Sequence, residues 1–140
     1  MATFNATIMG GDAQRDLEKK LVELCGLSYG EYLENREIVT REVLEGNFDE
    51  IINFIHKSRS DCIAHQVFGY FILFTGSKLP THEKDHILSC SNWETEKCFW
   101  LQNPKLARER KFFLNDFRQK ILSHTSGQIT ELEHLFRECI

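Results

Sequence analysis

The chain has few of the residues that interrupt helices or that link loops covalently. It holds two prolines and eight glycines in 140 residues, too few for the many turns of a β-sandwich or β-barrel. Its five cysteines are an odd number and are scattered without close pairs, whereas a secreted disulfide framework normally has an even number. The composition therefore predicts a helical protein in a reducing, cytoplasmic compartment.

Long apolar runs and a dominant sign of charge are also missing. The most apolar stretch, residues 67–74, is too short to cross a bilayer, and residues 1–10 carry no basic run or apolar stretch of signal-peptide length. The formal net charge is −4, which gives no long-range attraction for nucleic acid or anionic lipid. We therefore expect a soluble protein that does not bind membranes, and nucleic acid ranks low among its partners.

The sequence does contain a dense series of helix signals. Residues 61–75 carry apolar side chains on nearly every side, which is typical of a buried helix. One helix is expected from Ser28 to Gly46, a long one from Pro104 to about Ser123, and a last one over residues 129–139. Four glycines mark expected breaks: Gly26, Gly46, Gly76 and Gly127.

These signals predict an all-α fold. Since no linker or repeat interrupts residues 1–140, we expect a single compact domain. Its architecture would be an orthogonal bundle of about seven or eight helices around a buried central helix.

Two segments resemble a known family. Ile8-Met9-Gly10-Gly11-Asp12-Ala13-Gln14-Arg15-Asp16-Leu17 leads through a small turn into an Asp-Ala-x-x-Asp stretch, and Gly76-Ser77-Lys78-Leu79-Pro80 follows the expected central helix. Both resemble a small uncharacterised bacterial family of all-α domains. Gly11 stands where that family leads us to expect Asn, and bulky aromatics replace the small residues of its central helix. The resemblance implies a helical fold and brings no function.

Residues 82–86 read His-Glu-x-x-His. Two histidines four residues apart on one helical face can bind zinc, while the glutamate activates a metal-bound water. The charged Lys84 and Asp85, and the place at the first turn of a short helix, differ from the usual zincin motif. Cys90 lies four residues after His86 on the same face. The motif predicts a metal site of His82, His86 and Cys90, and a metal-dependent hydrolase using His82, Glu83 and His86 is the alternative function.

An acidic segment offers a second candidate for metal chemistry. Glu31 and Glu34 match the Glu-x-x-Glu half of the magnesium site in helical nucleotide pyrophosphatases. The Glu-x-x-Asp half is missing, because Glu45 and Asp49 are four residues apart. Zinc and magnesium are thus both open as cofactors, and the sequence requires neither.

Two further candidates concern anions. Gly10 and Gly11 precede an expected helix N-terminus, where free amides could bind an anion or another ligand, although the carboxylate of Asp12 would oppose an anion. The long C-terminal helix carries a basic stripe that could lie on phosphates: Lys105, Arg108, Lys111 and Arg118. Glu109 and Asp116 dilute this stripe, so a nucleic-acid binder ranks third.

Three polar residues are expected inside the fold. His65 and Gln66 fall within the buried helix and need hydrogen-bond partners there. Arg110 projects into the apolar side of its helix. A buried arginine requires a carboxylate partner, and we expect it to come from the acidic segment 31–45.

The leading functional hypothesis is a non-enzymatic protein-interaction or regulatory domain. We expect that Phe99, Trp100 and Phe112 do not all fit inside the core, and exposed aromatics are typical of protein interfaces. Another protein is the expected partner, and a homodimer is also open.

Overall fold

A computed structural model describes residues 5–58 and 61–133 of the chain. Within these ranges the chain forms eight α-helices, one 3₁₀ turn and no β-strand, which confirms the all-α expectation. None of the helices described is long and apolar enough to cross a membrane. The helices are α1 (Asp12–Leu24), α2 (Tyr29–Glu34), α3 (Arg41–Gly46), α4 (Phe48–Lys57), α5 (Asp61–Thr75), α6 (Thr81–Cys90), α7 (Trp93–Trp100) and α8 (Pro104–Ser123), and the 3₁₀ turn spans Arg36–Ile38.

Helix α5 is the central element, as its all-round apolar pattern predicts. It packs against α1, α3, α4, α6 and α8. Gly69 allows the close approach of α6 and α8, because a Cβ atom there would lie 2.7 Å from Cζ of Phe117 and 3.1 Å from Cγ2 of Ile87. The absence of a side chain at position 69 therefore sets how near α6 lies to α5.

Two of the predicted helix ends depend on the left-handed backbone that glycine adopts easily. Gly26 follows α1 with φ of 77°, and Gly76 follows α5 with φ of 73°. Both positions end their helices as expected, because any other residue would strain the backbone there.

The single helix expected from Ser28 to Gly46 is wrong. Ser28 does cap α2, but α2 ends at Glu34. The side chain of Asn35 then accepts a hydrogen bond from the amide of Glu37, and the side chain of Thr40 accepts one from Val43. Asparagine and threonine side chains compete in this way with a continuous helical ladder, so the segment forms α2, the 3₁₀ turn and α3.

The expected last helix is not present over residues 124–133, which are irregular. This segment instead lies against the end of α5, where Gly127 donates a hydrogen bond to the carbonyl of Gly76 (2.7 Å) and Thr130 donates one to the carbonyl of Leu73 (2.8 Å). Tertiary hydrogen bonds thus replace helical ones here. Phe136 and Cys139, the other residues of that prediction, lie outside the described residues.

Candidate metal centre

Two glutamates are buried among the described residues, and their surroundings differ. Glu18 accepts hydrogen bonds from the hydroxyls of Tyr29 and Tyr32, each at 2.9 Å. Burial, together with this hydrogen bond, raises the pKa of Tyr29 to about 12. Glu83 has histidines around it instead. A buried carboxylate is energetically costly unless it is paired. Tyrosine hydroxyls are the partners of Glu18, whereas histidine nitrogens are the partners of Glu83.

Three helices place the residues around Glu83. Pro80 precedes α6, and Glu83 lies in the first turn of that helix with its side chain turned inward, one turn before the fully buried Ile87. His65 lies on α5 and has no exposed surface. His56 lies in the last turn of α4, beside the buried Ile55, and its side chain is about one third exposed.

The distances bring these three side chains into one cluster. Nε2 of His56 lies 2.9 Å from Oε1 of Glu83, and Nε2 of His65 lies 3.3 Å from Oε2 of the same carboxylate. One ligand atom from each residue lies within 4.8 Å of the other two. Oε2 of Glu83 accepts no hydrogen bond of ordinary geometry from any described residue. We call His56, His65 and Glu83 the three-residue cluster.

Two more histidines adjoin the three-residue cluster. Nε2 of His86 lies 3.2 Å from Nε2 of His82, one helical turn earlier. The ring of His86 also lies 5.1 Å from that of His65 and 5.2 Å from that of His56, measured between ring centroids. Four imidazoles and one carboxylate therefore share one corner between α4, α5 and α6.

This donor set suits a transition-metal ion. Two imidazole nitrogens and one carboxylate are the protein ligands of several zinc enzymes and of the non-haem iron facial triad. Magnesium prefers oxygen ligands, so the nitrogen-rich cluster favours zinc-like ions over magnesium. A divalent ion there would also balance the charge of the buried Glu83 carboxylate.

The predicted metal ligands are only partly brought together. His82 and His86 meet, as their spacing predicts, but His82 is exposed and its ring lies 6.4 Å from that of His56. Cys90 is buried and lies outside the group of candidate ligands found in the described residues. Glu83 contacts two histidines directly, so its carboxylate is placed as a metal ligand would be. In a zincin the glutamate is not a ligand and acts on the metal-bound water.

A second buried polar cluster begins at Gln66, the neighbour of His65 on α5. Gln66 accepts a hydrogen bond from Nη2 of Arg110 (2.8 Å) and donates one to the carbonyl of Cys90 (2.9 Å). Arg110 also donates to Glu96 and, at 2.8 Å, to the carbonyl of Thr7. We call Gln66, Glu96 and Arg110 the arginine cluster.

The expected partner of Arg110 was wrong. Its carboxylate comes from Glu96 on α7 and not from the acidic segment 31–45. The reason is the packing of α7 against α8, which places Glu96 beside Arg110. Helical spacing in the sequence does not predict this contact between two helices.

The remaining metal and anion candidates contribute no residue to either cluster. Glu31 and Glu34 are exposed on α2. The amide of Gly10 already donates to the carbonyl of Thr7 (3.1 Å), so the glycine turn before Asp12 is partly closed on itself.

The basic stripe on α8 is only partly exposed to solvent. Lys105, Arg108 and Lys111 are exposed, but Arg118 is half-buried and donates a hydrogen bond to the carbonyl of Leu88. Helix α8 thereby contacts the end of α6, and the predicted stripe of four is reduced to three exposed cations.

The three aromatics expected at a surface have different environments. Phe99 is 58% exposed, Phe112 is half-buried, and Trp100 is only 7% exposed. Nε1 of Trp100 donates a hydrogen bond to Glu96 (2.8 Å), and the guanidinium of Arg110 lies 5.4 Å from its ring. Trp100 therefore belongs to the interior, and Leu101, 60% exposed, is a second large apolar side chain at the surface.

A cleft of 720 Å³ lies elsewhere, between the 3₁₀ turn, α5 and residues 129–133. Arg36 and Tyr70 line it and hydrogen-bond each other at 2.5 Å. None of the described residues that line this cleft belongs to the three-residue cluster, so the two are separate features.

Sequence reasoning missed His56 completely. It identified Glu83 and His86 through their motif, and His65 as a polar residue in an apolar helix. The only signal at His56 is its position at the end of the amphipathic α4, which many solvent-exposed histidines share.

Comparison with protein-family models, curated proteins and solved structures finds no match for this chain.

Proposed function

We propose that this protein is a metal-binding domain whose three-residue cluster holds one zinc-like divalent ion. The observation that carries the proposal is the contact of both Glu83 carboxylate oxygens with histidine nitrogens from two other helices, at 2.9 and 3.3 Å. Ligands of one tetrahedral ion are themselves about 3.3 Å apart, because metal–ligand bonds are about 2.0–2.1 Å long. Small shifts of the three side chains would accommodate an ion between them.

The position of the site indicates what the ion would do to the protein. His56, His65 and Glu83 belong to α4, α5 and α6, so one ion would link three helices. An ion that binds the folded chain alone stabilises it by about 2.7 kcal/mol at a free concentration 100 times the Kd. We infer that metal binding is coupled to the packing of α6 on the rest of the domain.

Zinc titration of the chelator-treated protein tests the proposal. We expect uptake of zinc that is reversed by chelator and a rise in the unfolding midpoint. Glu83→Gln should weaken zinc binding by at least about 10-fold, since it removes the charged ligand. The matched control is Asp85→Asn, which removes an exposed carboxylate from the same helix and should leave the affinity unchanged. Absence of chelatable zinc in the wild type, or equal affinity in Glu83→Gln, would refute the proposal.

A protein-interaction role is the second candidate, and the exposure of Phe99 and Leu101, two residues apart in the chain, favours it. Exposed large apolar residues that form a patch are typical of contact surfaces. The double variant Phe99→Ser/Leu101→Ser should abolish self-association in sedimentation experiments, or binding of a partner protein. Leu33→Ser, at a similarly exposed leucine, is the control. Unchanged self-association and partner binding in the double variant would remove the basis of this candidate.

A further inference from the structure

The ring of His86 adjoins the three-residue cluster, although its nitrogens, as they are now placed, lie outside the group of ligand atoms within 4.8 Å of one another. The ring centroids of His56, His65 and His86 form a nearly equilateral triangle with sides of 5.2, 5.2 and 5.1 Å. Three imidazoles bound to one tetrahedral ion have centroids about 5.2 Å apart, because the bond is about 2.0–2.1 Å and the nitrogen lies roughly 1.1 Å from the ring centre. The spacing of the three rings is thus that of a single tetrahedral centre.

Helical geometry places His86 on the side of Glu83. Residues three apart on a helix are neighbours on its surface, so Glu83 and His86 both face α4 and α5. His86 is half-buried, whereas His82 is exposed. Of the two histidines in the motif, His86 is therefore the one directed toward the three-residue cluster.

His86 now contacts His82 through its Nε2 atom. Two imidazole nitrogens at 3.2 Å share one proton, with one ring donating and the other accepting. A half-turn of the His86 ring about its Cβ–Cγ bond exchanges the sides on which its nitrogens lie, without moving the ring centre. That rotation would break the contact with His82 and leave Nε2 of His86 available for another partner.

We propose that His86 changes partner when metal binds, leaving His82 and completing a four-coordinate site with His56, His65 and Glu83. This inference rests on the proposed function and specifies its ligand set. A site closed by four protein ligands leaves no position for a reacting water, and such sites are structural in character. The bound ion would therefore act on conformation through the first turn of α6, and hydrolysis would not follow.

Two matched variants of one helix test the ligand change. His86→Ala should weaken zinc binding by at least about 10-fold, since even residues outside the ligand set change metal affinity by 10–100-fold. His82→Ala should bind zinc as tightly as the wild type or more tightly, because it removes the competing partner of His86. Thermal unfolding in chelator shows whether each variant folds, and His86→Asn replaces the alanine variant if that one does not.

Cobalt(II) provides a second readout, because tetrahedral Co²⁺ absorbs visible light far more strongly than six-coordinate Co²⁺. The wild type and His82→Ala should show the strong absorption, and His86→Ala should show a weaker, shifted spectrum. Unchanged affinity and spectrum in His86→Ala would overturn the inference while leaving the proposed function intact. Two zinc ions per chain, with one lost in His82→Ala, would also overturn it in favour of a second site. Absence of zinc binding by the wild type would refute both proposals. Zinc binding by the wild type, with unchanged affinity in His86→Ala, would refute only the change of partner by His86.

Discussion

The three-residue cluster and the arginine cluster begin at adjacent residues of α5, His65 and Gln66, yet their hydrogen bonding differs. Arg110, only 2% exposed, donates to Glu96, to Gln66 and to a backbone carbonyl. In the three-residue cluster, Oε2 of Glu83 accepts no well-formed hydrogen bond from the described residues. Fully satisfied buried networks make a fold rigid, whereas an under-satisfied buried polar group suggests a functional role. The difference supports the proposal that the arginine cluster stabilises the fold and the three-residue cluster binds a ligand.

The largest effect is expected when the arginine cluster loses its cation. Arg110→Ala leaves the Glu96 carboxylate half-buried without its main partner and should lower the free energy of unfolding by about 3–5 kcal/mol. Denaturant unfolding followed by circular dichroism measures the loss. Lys111→Ala, at an exposed position of the same helix, should change it by less than about 0.5 kcal/mol. A loss below about 1 kcal/mol in Arg110→Ala would contradict a structural role for this cluster.

A pair of matched glutamate variants compares the clusters directly. Glu96→Gln places an amide among the donors Trp100, Gln66 and Arg110 and should cost about 3 kcal/mol, as expected when hydrogen bonds to a buried charge are lost. Glu83→Gln should leave the chelator-treated protein as stable as the wild type, or more stable, because it removes a buried charge. Unfolding of both variants in chelator provides the measurement. Equal losses of unfolding free energy in the two variants would mean that Glu83, like Glu96, has only a structural role.

The distance between α5 and α6 connects stability to the proposed metal site. Gly69→Ala would place Cβ 2.7 Å from Cζ of Phe117, and overpacking of this kind costs about 1–3 kcal/mol. Because Ile87 of α6 is the next nearest neighbour, relief of the clash should move Glu83 away from His65. Zinc affinity should therefore fall together with stability. If affinity stays the same while stability falls, the proposed metal site does not depend on the distance between α5 and α6.

The smallest effect is expected at Cys90, whose carbonyl accepts from Gln66 of the arginine cluster. Cys90→Ala removes one buried sulfur atom and should cost about 1 kcal/mol. Because its thiol lies outside the candidate ligands found among the described residues, zinc affinity should change by less than about twofold. Competition titration with a chelator of known affinity measures it. A larger loss would return Cys90 to the ligand set that the sequence predicts.

Features that depend on nearby residues could be predicted from the sequence, whereas features that depend on distant contacts could not. The helical fold class, the central position of α5 and the helix ends at Gly26 and Gly76 were predicted, since each depends on apolar spacing or on backbone preference within a few residues. The long helix over residues 28–46 was wrong, because the hydrogen-bonding competition from Asn35 and Thr40 was overlooked. The last helix, predicted over residues 129–139, is absent from the described residues 129–133, where a contact with α5 replaces helical hydrogen bonds.

The candidate site shows the same division. The motif identified Glu83 and His86, and polarity within an apolar helix identified His65, but nothing in the chain connected these residues with His56. The sequence by itself determined the all-α fold class and the all-round apolar character of α5, because periodic burial is a local property. Only the tertiary structure decided that α4 ends beside α6 and that Glu96, not the acidic segment, meets Arg110. Contacts between residues 14 to 27 positions apart depend on how helices pack, and helical periodicity carries no information about that packing.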